Sequence, residues 1–209
     1  IILMLLRQPG AACEYFEATL EMTRRLERRR EEAHAIGYLG QAHQDMDRAK
    51  EALDLHRQAL KISKKLSDAY GKAGALGGIG NALLGLHEMS RALTYHREQL
   101  QLAEATAQPA AVAGALANLS ISFLYNHEEA EAAARRDQSI AIYERIGNQA
   151  ALVALKERWS VACEKRGNLD EAISSSENAT EISRRRKLPG IRVLERRTDR
   201  LKREKLRST

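Results

Sequence analysis

Apolar and small residues recur along this chain with a period of forty. Stepping by forty gives Ala12, Ala52, Ala92, Ala132 and Ala172, then Leu20, Leu60, Leu100, Ile140 and Thr180, then Met22, Ile62, Leu102, Ile142 and Ile182. A further column runs Leu39, Ile79, Leu119, Trp159. It is followed by the small columns Gly40, Gly80, Ser120, Ser160 and Ala42, Ala82, Ser122, Ala162. No insertion interrupts the register, so the chain is an array of equal units and its fold follows from one of them.

Each unit reads as two helices. Over 33–46 the apolar or small residues Ile36, Leu39, Gly40, Ala42, His43 and Met46 fall at helical spacing, and the second helix carries Ala49, Ala52, Leu55, Ala59, Leu60 and Ile62 on one face. The first helices break at Asp47, His87, His127 and Gly167-Asn168. The second helices stop near Ser67-Asp68, Ala107-Gln108-Pro109, Gly147-Asn148 and Pro189-Gly190. Small residues at Gly40, Gly80, Ala52 and Ala92 predict close crossing of two helix backbones, with Leu39, Leu60 and Trp159 filling the gaps beside them. A lone pair cannot bury both of its faces, so neighbouring pairs stack. The predicted architecture is an all-α helix-pair solenoid over 1–189, with a partial unit at 1–29 and units starting near 33, 73, 113 and 153. A basic C-terminal helix or tail spans 190–209.

The pattern Leu39-Gly40, Ala52, Ala59-Leu60 resembles the tetratricopeptide repeat. It is echoed by Ile79-Gly80-Asn81, Ala92, Leu100 and by Gly167-Asn168-Leu169-Asp170-Glu171-Ala172-Ile173. The forty-residue period and the stretch 91–103 are similar to the longer repeats of kinesin light chains and LGN-type G-protein-signalling modulators. Ser120-Ile121 and Ser160-Val161 depart from the Gly-Asn that this subclass favours. The resemblance implies a right-handed superhelix whose first helices line a concave face.

Charge separates the array from its end. From residue 184 onward there are twelve Lys/Arg against three acids, leaving a deficit of three charges over the rest, so the net +6 comes from the tail. Ile191, Leu194, Leu201 and Leu206 form a sparse apolar stripe there, which predicts a polar cap on the last repeat. The competing reading is a patch for nucleic acid or an acidic membrane, formed by Arg184, Arg185, Arg186, Lys187, Arg196, Arg197 and Arg200. The run 184–187 also has the composition of a nuclear-import cluster. No aromatic residue lies in the tail to stack on bases. The apolar run 1–6 is too short to span a bilayer and shows no signal-peptide features. A start at Ile suggests a fragment or a processed chain. Two cysteines, Cys13 and Cys163, cannot make a disulfide framework and fit a reducing, cytoplasmic setting, with the nucleus as the alternative.

Catalytic chemistry finds no footing. His56 and His96, and likewise His87 and His127, occupy equivalent places in successive units, too far apart to share one metal ion. The glycines at 71–85 lack the strand and Lys-Ser/Thr of a phosphate loop, so they read as packing positions or as a close ligand approach. Asn118-Leu-Ser120 and Asn178-Ala-Thr180 match a glycosylation pattern but sit inside helices. The expectation is a non-enzymatic scaffold or adaptor with no cofactor, no metal and no small-molecule substrate. Its partner is a peptide or helix of another protein. The groove candidates are Tyr38, Gln41, Gln44, Asn81, Leu84, Asn118, Ile121, Leu124, Tyr125, Arg158 and Lys165. They run from amides that pair with peptide backbone, through an apolar centre, to a basic end that meets an acidic group.

Overall fold

The computed structural model describes residues 8–208, which are helical apart from short turns between the helices; the apolar run 1–6 lies outside them. In chain order the helices are α1 (Pro9–Arg25), α2 (Arg29–Asp45), α3 (Ala49–Lys65), α4 (Ala69–Gly85) and α5 (Met89–Ala105). They continue as α6 (Pro109–Tyr125), α7 (Glu129–Arg145), α8 (Gln149–Lys165), α9 (Leu169–Arg186) and α10 (Ile191–Ser208). The repeat is finer than forty: successive starts from α1 to α9 fall twenty residues apart. The first helices begin four residues before the expected 33 because Arg29, Arg30, Glu31 and Glu32 carry no apolar signal. Glu32 is nonetheless buried. Burial pushes its carboxyl up, but bonds from Arg29 and Arg24 hold it below the usual carboxylate range.

The turns share one device. Glu27, Asp47, Ser67, His87, Ala107, His127, Gly147, Gly167 and Lys187 all have positive φ. At each of these a left-handed residue ends one helix, and the amide after it commonly reaches back. Arg48 N–H donates to the His43 carbonyl, Glu88 N–H to Leu83 and Asn148 N–H to Tyr143, each at 2.9 Å. Asp68, Asn148 and Asn168 then cap the following helix by accepting from the backbone amide three residues on, at 3.1 Å in each case.

Consecutive helices pack side by side in chain order. The first helices α2, α4, α6 and α8 also pack on one another in sequence, which places them in a common inner layer. The repeat alanines at 12, 52, 92, 132 and 172 are all fully buried, as the column requires. Gly40 and Gly80 do a different job from the one expected. A Cβ at Gly40 would lie 2.9 Å from the His56 ring, and one at Gly80 would lie 2.2 Å from the His96 ring. These glycines make room for buried imidazoles rather than for crossing backbones. The spacing Gly40–His56 and Gly80–His96, sixteen residues in both cases, was the sequence signal for it.

The C-terminal helix docks as a cap. Leu194, Thr198 and Leu201 are buried against α9 and its neighbours, and Thr198 Oγ1 pairs with Ser176 Oγ at 2.7 Å. Acidic residues of α8 and α9 meet its cations: Arg200 bonds Glu164 at 2.7 Å, Lys202 bonds Glu177 at 2.6 Å, and Arg197 and Lys205 reach Glu164 and Asp170. No helix among the described residues is long and apolar enough to cross a membrane.

Candidate functional site

Three of the predicted groove residues come together across three units. Arg158 on α8 donates to Asn118 Oδ1 on α6 at 2.7 Å and to Asn81 Oδ1 on α4 at 2.9 Å. Asn118 in turn donates to Gln99 Oε1 at 2.9 Å. The guanidinium is thus held by side-chain amides in the inner layer. Its electrostatic neighbours are the phenols of Tyr143 and Tyr125 and the carboxylate of Asp45. Burial lowers the pKa of Arg158, and those neighbours act the other way. An arginine stays charged under these conditions. Two side-chain amides accept from the guanidinium, and a cation held this way has the chemistry to attract a negative group.

The other candidates divide. Gln44 donates to the Gly78 carbonyl at 2.9 Å, tying α2 to α4, while its buried Oε1 accepts from no group among the described residues. Gln41 bonds Asp45 at 3.1 Å. Tyr38 is part-exposed and stacks on Phe16, with ring centroids 5.1 Å apart. Tyr125 is half-buried beside Arg158, and burial raises its phenol pKa. Lys165 is exposed and Leu84 is packed against two core clusters. Ile121 and Leu124 correct the expectation of an apolar groove centre. At 4% and 5% exposure they belong to the core cluster that includes Leu119, Phe123 and Trp159. Helix α6 is apolar nearly all round, so sequence periodicity could not tell its inner face from its packed one.

His56 and His96 went unassigned in the sequence beyond packing, and both are deeply buried. Burial pushes the His56 pKa down to about 4. For His96, burial and then the nearby Arg158 charge push it down to about 3. His96 Nδ1 pairs with Ser122 Oγ at 2.6 Å and its Nε2 faces the Gly77 carbonyl at 3.3 Å. Both rings are therefore neutral packing elements. No group of three or more His, Cys, Asp or Glu among the described residues is arranged to hold a metal ion. Burial raises the Cys163 thiol to about 11, so at neutral pH it is not a thiolate nucleophile.

The basic patch is largely engaged within the chain. Arg184 pairs with Glu195 at 2.8 Å, Arg185 with Glu181, Arg197 with Glu164, and Arg200 with both Glu164 and Glu204. Arg186, Lys187 and Arg196 carry no ion pair among the described residues.

A tetratricopeptide-repeat family model matches residues 1–65. No curated protein matches the chain. Solved structures share its fold at low identity. BtubC (BKLC) from P. vanneervenii is 17% identical, with 96% of this chain and 92% of that one aligned at a TM-score of 0.63. A Rap protein complexed with competence and sporulation factor is 15% identical over 97% of this chain and 61% of its own, with a TM-score of 0.69. A putative kinesin light chain from Podosopora anserina is 16% identical over 86% and 89%, with a TM-score of 0.54. The match over residues 1–65, the same forty-residue unit continued through α9 and the shared helix-pair stack give the chain an all-α solenoid fold of the tetratricopeptide type.

Proposed function

We propose that the chain is a non-enzymatic adaptor whose inner layer binds a peptide or helical segment of another protein, with an acidic residue of that segment seated at Arg158. Tetratricopeptide repeats serve as protein-interaction modules, and the Rap protein of similar fold was solved with a bound factor. The observation that carries the reading is the Arg158–Asn118–Asn81 cluster. One part-buried cation is drawn from α8 toward α4 by two side-chain amides, whose place a ligand carboxylate can take. Gln44, Gln41 and Tyr38 extend the surface toward the N-terminal units.

Selection of random peptides on the full chain tests this. Acidic peptides should be enriched on the wild-type protein and their binding reduced at least tenfold by Arg158→Gln. The variant Arg186→Gln/Lys187→Gln/Arg196→Gln should bind them as wild type does. Peptides lost with the triple variant and kept by Arg158→Gln would move the function to the C-terminal patch. No enrichment at all would remove the groove reading.

A further inference from the structure

Helix α10 sorts its cations by direction. Its buried stripe is Leu194, Thr198 and Leu201. The cations that flank this stripe reach acids of the array: Arg197 and Arg200 pair with Glu164, Lys202 with Glu177 and Lys205 with Asp170. At 3.6 residues per turn, Arg192, Arg196, Arg203 and Arg207 fall on the opposite side of the helix. All of these are exposed, and none makes a hydrogen bond or an ion pair among the described residues. Arg186 and Lys187, at the turn into α10, are exposed and unpaired in the same way. The outward row holds a single acid, Asp199.

A cap needs only a polar outer side, which mixed charges provide. The exposed side of α1, at the other end of the stack, is mixed: it carries Glu14, Glu17 and Glu21 beside Arg24 and Arg25. The outer side of α10 is almost of one sign, which capping does not require. Its row from Arg192 to Arg207 is about 22 Å long at the rise of a helix. The apolar stripe of α10 is consumed by the cap, so this helix has no apolar face to lay into a bilayer. The row offers no aromatic ring on which the bases of a single strand could stack. Helix α9 packs along α10, and two helices side by side are too broad for a major groove of about 12 Å. What the row can reach is the phosphate backbone.

We propose that the outward side of α10 docks on the phosphate backbone of a nucleic-acid duplex without reading its sequence. Arg192, Arg196, Arg203 and Arg207 make the contacts, and Arg186 and Lys187 extend them at the turn. A guanidinium stays charged and bonds phosphate oxygens in pairs. A duplex carries one negative charge per about 1.7 Å of its axis, so a row of this length meets phosphates in any register. The row lies apart from Arg158, which belongs to the inner layer, so duplex binding does not depend on the inner face taking a peptide.

The test is fluorescence anisotropy of the full chain with a labelled DNA duplex of about 20 base pairs, between about 50 and 200 mM salt. The logarithm of the binding constant should fall against that of salt with a slope of about −4, as expected for contacts from the four arginines of the row. Arg192→Gln/Arg196→Gln/Arg203→Gln/Arg207→Gln should weaken binding at least tenfold, and the same positions changed to Lys should keep it. Arg158→Gln should bind as wild type does, and a duplex of unrelated sequence should bind within about threefold. No binding at about 50 mM salt would overturn the proposal. So would an unchanged slope in a folded quadruple Gln variant, or a preference above about tenfold for one sequence. Tighter binding to a single strand, or to phosphatidylserine vesicles, would move the surface to that partner instead. If the quadruple Gln variant does not fold, Arg196→Gln alone decides: its slope should be shallower by about 0.9, and a slope equal to wild type rejects the contact.

Discussion

At the residue scale, two kinds of side chain sit where general preference argues against them. Among the described residues, seven non-glycine residues occupy left-handed turn positions, Ala107 among them at φ 52°. Such a backbone costs an alanine roughly 1–2 kcal/mol. Part of that returns as glycine's greater freedom in the unfolded chain. We expect Ala107→Gly to stabilise the protein by about 1 kcal/mol, read as a higher urea midpoint at unchanged m-value. A lower midpoint would mean that the Ala107 methyl makes contacts outweighing the strain. The buried imidazoles are the second kind. His56 and His96 stay neutral in the folded protein down to about pH 4 and 3, whereas an unfolded histidine takes up its proton near 6.5. Below pH 6.5 the unfolded state therefore binds more protons. Stability is full above that pH and falls through the window from 6.5 toward 4, by roughly 3 kcal/mol for His56 alone. Urea titrations at pH 7, 5.5 and 4.5 should show the decline, with a shallower slope in His96→Asn.

At the scale of the helix, the twenty-residue module explains what could be read beforehand and what could not. The alanine column, the turn positions and the pairing of helices were all legible, because each depends on residues adjacent on one helix or at one turn. We expect Ala92→Leu to cost about 1–3 kcal/mol by overpacking a fully buried position. An unchanged thermal midpoint would contradict the packing at that site. The use of Gly40 and Gly80 was not legible on their own helices, since the atom that needs the space belongs to a histidine on the next helix and only the shared sixteen-residue spacing points to it. Ile121 and Leu124 were misplaced because α6 has apolar residues on every side and no stripe to orient it. Asn81, Asn118 and Arg158 were each picked singly. Their meeting was out of reach of local pattern, because Arg158 stands 77 residues from Asn81.

At the scale of the whole molecule, the chain is a one-dimensional stack in which each helix depends on its neighbours, ended by a helix that carries the surplus charge inward to Glu164, Asp170 and Glu177. Leu201 is fully buried in that cap, so Leu201→Ala should cost about 2–5 kcal/mol. Hydrogen exchange should speed up in α8 and α9 and stay unchanged in α2–α5; uniform acceleration would mean that the stack melts as one unit. In the proposed function the inner layer, through Arg158, receives an acidic segment of a partner protein. The most direct test is a nuclear magnetic resonance titration of the full chain with an acidic peptide recovered by selection, following side-chain signals. Saturable shifts of the Arg158 Nε–H and of the Asn81 and Asn118 amides are expected, with Arg186, Lys187 and Arg196 unmoved. Shifts confined to those three C-terminal residues, with the Arg158 cluster silent, would contradict the proposed function.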